Sequence, residues 1–398
     1  MPSAAFKKAL ANVQKKAGDI VKDVNKAGVT KYVKTHSPCL NRVYGSGKGI
    51  AVGRIHRYMG PESGGKSTIC TFVGREFQDE LLPQLGLNKP YCIYLDFEGS
   101  FDRDHAVQMG LHIDEDRFIF MQPDDLESAA AACEELVKTG EIGTIIFDSE
   151  SMSTTRTIQE NELGKATFGN KAKVLGDFLV KFAILCRNYQ TTMFIISQER
   201  ANMALMSHAI VTTGGFALKY AASTLMRVKK IEDLKDENGE IAGIRMNIRN
   251  YKNKTAKPWR EGNLDLWFDR GFDYFSEYVD LIKEYQNDER MTKLVKIGGA
   301  YYKSDEWDFS VCGRDKFVEW AKLPENAEKW KKITDTIDEI SDGTLATDKE
   351  TIDPELEGTA EEKELAKESI AIQNADDEKM LALVAADEQP EITLTGSE

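Results

Sequence analysis

Gly60-Pro61-Glu62-Ser63-Gly64-Gly65-Lys66-Ser67, followed by Thr68, fits the pattern G-x-x-x-x-G-K-[ST] and sits between an apolar stretch read as a strand, Arg54–Met59, and a helix expected to begin near Thr68. In that strand-loop-helix setting the glycines let successive backbone N–H groups turn inward around phosphate oxygens. The helix N-terminus adds partial positive charge, and Lys66 brings a point charge to the β- and γ-phosphates. Ser67 is the expected Mg²⁺ ligand. The stretch predicts nucleoside triphosphate binding, and with it an α/β fold.

Outward from this loop the same pattern repeats. Tyr91–Asp96, Thr144–Asp148 and Met193–Ser197 are short apolar runs ending in polar residues, alternating with longer helical stretches. That alternation is the mark of a mainly parallel sheet flanked by helices. Asp124-Asp125-Leu126-Glu127 opens an alanine-rich helix with a carboxylate cap. Ser223–Ile231 and Glu240–Asn250 flank Asp236-Glu237-Asn238-Gly239, whose Asn-Gly step predicts a hairpin and an antiparallel edge.

Composition bounds the rest. The 398 residues allow two or three domains, and with 41% hydrophobic residues the chain reads as soluble and globular. No run approaches the roughly 18–20 apolar residues that cross a bilayer, and the lysine-rich start lacks the apolar core of a secretory signal, so a cytoplasmic protein without a membrane role is expected. Cys39, Cys70, Cys92, Cys133, Cys186 and Cys312 include no C-x-x-C pair and the five histidines no H-x-x-x-H set, so reduced thiols and no zinc site are expected. The net charge of −14 is unevenly spread: residues 335–398 carry twenty acidic residues against four lysines, and removing that −16 leaves +2 for residues 1–334.

Four segments follow from these shifts. Residues 1–36 hold eight lysines against two aspartates with apolar residues near helical spacing, a basic helical segment that must pack on its own body or on a neighbouring subunit. Residues 37–277 form the ATPase core, 278–334 a smaller α+β unit containing Trp307, Trp320 and Trp330, and 335–398 an acidic tail expected to be disordered or loosely helical. The tail either solubilises or competes with nucleic acid for basic surface.

Three further residues carry chemistry. Asp148 ends a strand at the carboxyl edge where ligands of open α/β sheets bind, and it can orient the water shell of Mg²⁺. Glu98, just beyond Leu95-Asp96-Phe97, could act as general base on the water attacking the γ-phosphate, with Asp96 and Asp102 as alternatives. Gln198 offers an uncharged amide to a γ-phosphate, and the stretch from Glu199 to Thr213 hangs from it, so nucleotide state could order that segment around a second ligand.

Taken together these residues resemble the RecA family of ATP-dependent recombinases. The likeness covers about residues 40–335. It runs through the phosphate loop, Leu95–Glu98, Met121-Gln122-Pro123-Asp124, Ile146-Phe147-Asp148-Ser149, Ile196-Ser197-Gln198, the stretch Thr212 to Tyr220 and Lys252-Asn253-Lys254, all in family order. The resemblance implies an ATP- and Mg²⁺-dependent helical filament on single-stranded DNA. Such a filament pairs that strand with homologous duplex and exchanges strands, with single-stranded-DNA-binding and loader proteins as further candidate partners. It implies Glu98 as the catalytic glutamate and Gln198 as the γ-phosphate sensor. It places Asp102 and His105 against adenine, with an imidazole replacing the usual tyrosine, and directs Lys252 and Lys254 to the γ-phosphate of the adjacent subunit.

Two loops match the family's DNA-binding loops, about Thr157–Lys171 and Glu199–Thr213. In and beside them Lys173 and Arg200 supply charge, Phe168 and Met206 are candidate wedges between bases, and Gly169, Thr213, Gly214 and Gly215 allow close approach to phosphates. The second loop is one residue shorter than the family's and has Leu205, Met206 and Ser207 where the family has a phenylalanine. The acidic end is unusually long. Such divergence would suit a recombinase from a bacteriophage, acting in the host cytoplasm. The competing readings are a hexameric helicase built on the same core and a non-catalytic recombinase mediator. Against the first stand Lys252 and Lys254 and the short basic N-terminus; against the second, the intact set Lys66, Ser67, Glu98 and Asp148.

Overall fold

The computed structural model describes residues 3–17, 31–45, 47–161, 170–200, 211–212, 218 and 220–344. Helix α1 (Ala4–Ala17) exposes Phe6. The strand β1 (Tyr32–Val33) pairs antiparallel with β2 (Ile50–Ala51), and α2 (Pro38–Val43) lies between them in sequence, capped by the Ser37 side chain. Val33 and Thr35 are buried, so the boundary expected at residue 36 moves: residues from 31 onward pack with the core. The aromatic and β-branched pair Tyr32-Val33 favours a strand over a helix there.

The central sheet carries β3 (Ile55–Gly60), β4 (Tyr91–Asp96), β5 (Phe118–Met121), β6 (Ile142–Asp148), β7 (Thr192–Arg200), β8 (Val211–Thr212), β9 (Thr224–Lys235), β10 (Ile241–Asn253), β11 (Glu261–Trp267) and β12 (Gly271–Phe272). The order is β12-β11-β10-β9-β3-β7-β6-β4-β5, with β8 paired to β7. The six strands from β9 to β5 run parallel, and the pairings from β9 through β12 are antiparallel. The hairpin at Asn238-Gly239 therefore supplies the antiparallel edge, with Gly239 at φ +83 and the Asp236 carboxylate accepting from the N–H groups of Asn238 and Glu240.

The parallel strands are apolar at consecutive positions because both faces are covered. On β7, Phe194 and Ile196 face the layer of α3 (Lys66–Leu85), while Met193 and Ile195 face the opposite layer. In chain order α4 (Arg103–Gln108), α5 (Leu126–Lys138), α6 (Arg156–Glu160) and α7 (Asn170–Tyr189) follow. Cys133 and Val137 of α5 and Phe178, Leu179 and Phe182 of α7 fill the second layer. The expected carboxylate cap on α5 is Asp125, which accepts from the Ser128 N–H at 2.8 Å.

A third cluster gathers Val279 to Ile340. It is built from α8 (Tyr274–Glu284), α9 (Glu289–Leu294), the three-stranded sheet β13 (Lys296–Gly298), β14 (Tyr301–Ser304) and β15 (Phe309–Cys312), α10 (Arg314–Lys322) and α11 (Ala327–Thr344). Here the sequence reading is corrected. The boundary drawn at residue 334 cuts through α11, whose Ile333, Ile337 and Ile340 are buried at i, i+4 and i+7 on one face. The rest of the tail, from 345, lies outside the described residues. All six cysteines are unpaired thiols. No described helix is long and apolar enough to cross a membrane, and among the described residues no three His, Cys, Asp or Glu side chains group as metal ligands.

Candidate nucleotide site

The phosphate loop leaves the sheet where β3 ends. A Cβ on Gly60 would fall 2.0 Å from the Val228 carbonyl of β9, so only glycine lets the chain pass so close. Gly65, at φ +87, meets the same limit: its Cβ would fall 2.0 Å from Met246 Sδ of β10. The helix α3 starts one residue later with Lys66, whose Nζ donates to the Pro61 carbonyl at 2.5 Å. Around the loop lies a cavity of about 330 Å³, bounded by Glu62 to Thr68, Glu98, Ser100, Asp148, Ile196 and Gln198.

Sheet register gathers these side chains. Gly60 pairs with Gln198, and Asp96 pairs with Asp148, so the loop, the Gln198 amide and the carboxylates share one sheet edge. The Asp148 Oδ2 accepts from Ser67 Oγ at 2.8 Å and from the Tyr94 hydroxyl at 2.7 Å. Burial pushes the Asp148 carboxyl up from its usual range; the two hydroxyl donors oppose that shift, and the neighbouring Glu98 and Asp96 add to it. Two hard oxygen donors in a pocket with surplus negative charge fit Mg²⁺, with Ser67 and Asp148 as the residues to hold it. Burial lowers Lys66 from its ordinary value, while Asp148, Glu98 and Glu199 work to keep it charged.

Glu98 faces this cavity and is held by two donors. Ser149 Oγ donates to Oε2 at 3.2 Å, and Gln198 Nε2 reaches Oε1 at 3.5 Å. The alternatives are engaged elsewhere. Asp96 accepts from the N–H groups of Gly99, Ser100 and Phe101 and so builds the turn that presents Glu98, while Asp102 caps α4 through the His105 N–H. His105 Nε2 is hydrogen-bonded to Thr68 Oγ1 at 3.2 Å, which puts the imidazole against the first turn of α3.

Other expected residues stand elsewhere. Lys252 donates to the Ala222 carbonyl and Lys254 to the Tyr220 carbonyl, each at 2.7 Å. Asn253 pairs with Thr224, and Thr224 with His56, so both lysines lie at the edge where β3 begins, opposite the edge that carries the phosphate loop. Beyond Gln198, Glu199 pairs with Thr212 and Arg200 with Val211 in a ribbon continuous with β7. Lys173 is exposed on α7. Phe168, Gly169, Met206, Thr213, Gly214 and Gly215 lie outside the described residues.

Sequence reasoning missed Tyr94, Ser149 and Ser151. The hydroxyl of Tyr94 inside an apolar strand was the available signal, since a buried phenol needs a partner. Ser151 Oγ accepts from the Gln198 N–H at 3.0 Å, a contact made across two strand ends and carried by no local pattern.

Among solved structures the chain is similar to the crystal structure of the RadB recombinase, at 20% identity and a TM-score of 0.44, covering 60% of this chain and 98% of that one. Residues 4–273 match the RecA N-terminal domain, a span that takes in the phosphate loop, both sheet edges and the paired lysines. This chain belongs to the RecA family, whose members are nucleotide-binding ATPases of DNA recombination.

Proposed function

We propose that the protein is a DNA-dependent ATPase that assembles as a helical filament on single-stranded DNA, pairs that strand with homologous duplex and exchanges strands. The observation that carries the reading is the position of Lys252 and Lys254. From His56 to Gly60 the sheet rises about 13 Å, so these lysines stand far from the phosphate loop of their own chain. That separation supports a role for them on the nucleotide of an adjoining protomer. Two positive charges supplied in trans would stabilise the transferring phosphoryl group, which makes assembly and hydrolysis one event.

Within a protomer each group has a role. Lys66 and the backbone of Gly60 to Ser67 bind the phosphates; Thr68, Asp102 and His105 lie on the side expected to take the base. Glu98 takes the proton of the attacking water, and the donors from Ser149 and Gln198 orient it. Ser67 and Asp148 would hold Mg²⁺, which when bound would supply neutralisation of charge developing on the phosphates. Gln198 would read the γ-phosphate, and the ribbon that begins at Glu199 would carry the reading to the DNA-facing residues Arg200, Met206, Thr213, Gly214 and Gly215. Phe168 and Gly169 of the loop at about Thr157–Lys171, with Lys173 beside it on α7, would form the other DNA-facing surface.

Electron microscopy with single-stranded DNA, combined with a strand-exchange assay, tests this. Helical filaments are expected with a non-hydrolysable ATP analogue and not with ADP, and strand exchange with ATP. Lone particles or closed rings under every nucleotide condition would overturn the reading.

A further inference from the structure

Three consecutive residues at the end of β7 are each gripped by a different element. Arg57 of β3 donates from Nε to Ser197 Oγ at 2.8 Å. Ser151, in the turn after β6, accepts from the Gln198 N–H at 3.0 Å. Arg227 of β9 forms a two-pronged pair with Glu199, at 2.7 and 3.0 Å. Neither arginine lines the nucleotide cavity. Both lie on the strands that shape the root of the phosphate loop: Arg57 three residues before Gly60, and Arg227 in register with Met59.

Net stability does not explain the buried Arg57 and Glu150. Arg57 is 1% exposed in the middle of the sheet, where burial draws its pKa down from the ordinary value and Glu150, 3.9 Å away and also buried, opposes that shift. A buried ion pair of this kind contributes little net stability compared with apolar side chains of similar volume. What it supplies is fixed geometry, because planar guanidinium groups bind in few orientations. Arg227 has a second effect. Glu199 is among the carboxylates acting on Lys66, and pairing with Arg227 offsets a negative charge that would otherwise oppose an incoming triphosphate.

We propose that Arg57 and Arg227 are positioning residues for Gln198: by clamping Ser197 and Glu199 on either side of it, they set how far its amide reaches into the cavity and so the preference for triphosphate over diphosphate. This rests on the reading of Gln198 as the γ-phosphate sensor.

The test is equilibrium binding of a non-hydrolysable ATP analogue and of ADP to the full chain, read as the ratio of the two affinities. Gln198→Ala is the control for the sensor and is expected to lower the ratio about tenfold, the worth of one hydrogen bond to a charged group. Arg227→Met is expected to lower it at least about threefold while ADP affinity stays within about twofold. Exchanging the pair as Arg227→Glu with Glu199→Arg should recover most of that loss. Arg57→Met with Glu150→Met removes both buried charges together, so the sheet stays neutral and folded, and should also lower the ratio. If Gln198→Ala lowers the ratio and the arginine variants leave it unchanged, the positioning role is wrong. If Gln198→Ala leaves it unchanged, the sensor reading fails and the proposal with it.

Discussion

Under the proposed function Glu98 and Asp148 divide the carboxylate chemistry of the pocket between them, and their partners suit them to it. With Asp96 committed to three backbone N–H groups, Glu98 is the carboxylate to which the proposed function gives the proton of the attacking water. Glu98→Gln is expected to keep nucleotide affinity and slow hydrolysis at least about a hundredfold in a steady-state assay; near-normal turnover would remove the assignment. Tyr94→Phe removes one of the two hydroxyl donors that favour the ionised form of Asp148. The Asp148 carboxyl, already raised by burial, should rise further, so the acid limb of the pH-rate profile moves to higher pH. An unmoved limb would separate Tyr94 from the site. At this scale the sequence was legible where spacing along the chain carries the chemistry, as in Gly60 to Ser67. It was silent where the contact crosses strands, as for Tyr94 on Asp148 or Arg227 on Glu199.

Among elements, the junction of β3 with α3 depends on close approach. Gly65→Ala would force a positive-φ alanine and drive its Cβ onto Met246, a strain of about 1–3 kcal/mol or more; a lowered thermal midpoint together with lost nucleotide binding is expected. At α8, the buried Glu277 accepts from Ser37 Oγ at 2.5 Å and from the Cys39 N–H at 3.3 Å. Burial pushes its carboxyl up to about 8, with Asp265 and Asp273 adding to the rise and the two donors opposing it. An acid raised in the folded state binds its proton more tightly there than in the unfolded chain. Its stability contribution is therefore most favourable below the unfolded value near 4.5 and is lost as pH climbs toward about 8. Thermal midpoints measured across that window should fall, and Glu277→Gln should flatten the fall; an equally steep decline in the variant would contradict the assignment. The hairpin at Asn238-Gly239 and the cap at Asp125 were readable because each is local chemistry. The strand at Tyr32-Val33 and the last three turns of α11 were not, because a lysine-rich and an acid-rich background masked short apolar patterns that only packing completes.

For the whole molecule, the acidic end and the paired lysines make separate claims. Residues 345–398 hold sixteen acidic residues against four lysines, and cutting there spares Ile337 and Ile340 of α11. Removing that segment should strengthen duplex DNA binding at moderate salt and steepen its salt dependence; unchanged affinity would leave the segment a solubiliser. The central claim is that one protomer's nucleotide is served by the next protomer's lysines. Its most direct measurement mixes a Lys66→Ala protein with a Lys252→Ala/Lys254→Ala protein on single-stranded DNA and follows ATP hydrolysis. Each alone should be nearly inactive, and the mixture should regain activity wherever an intact pocket meets intact lysines. A mixture as inactive as its components, with co-assembly verified, would contradict the claim.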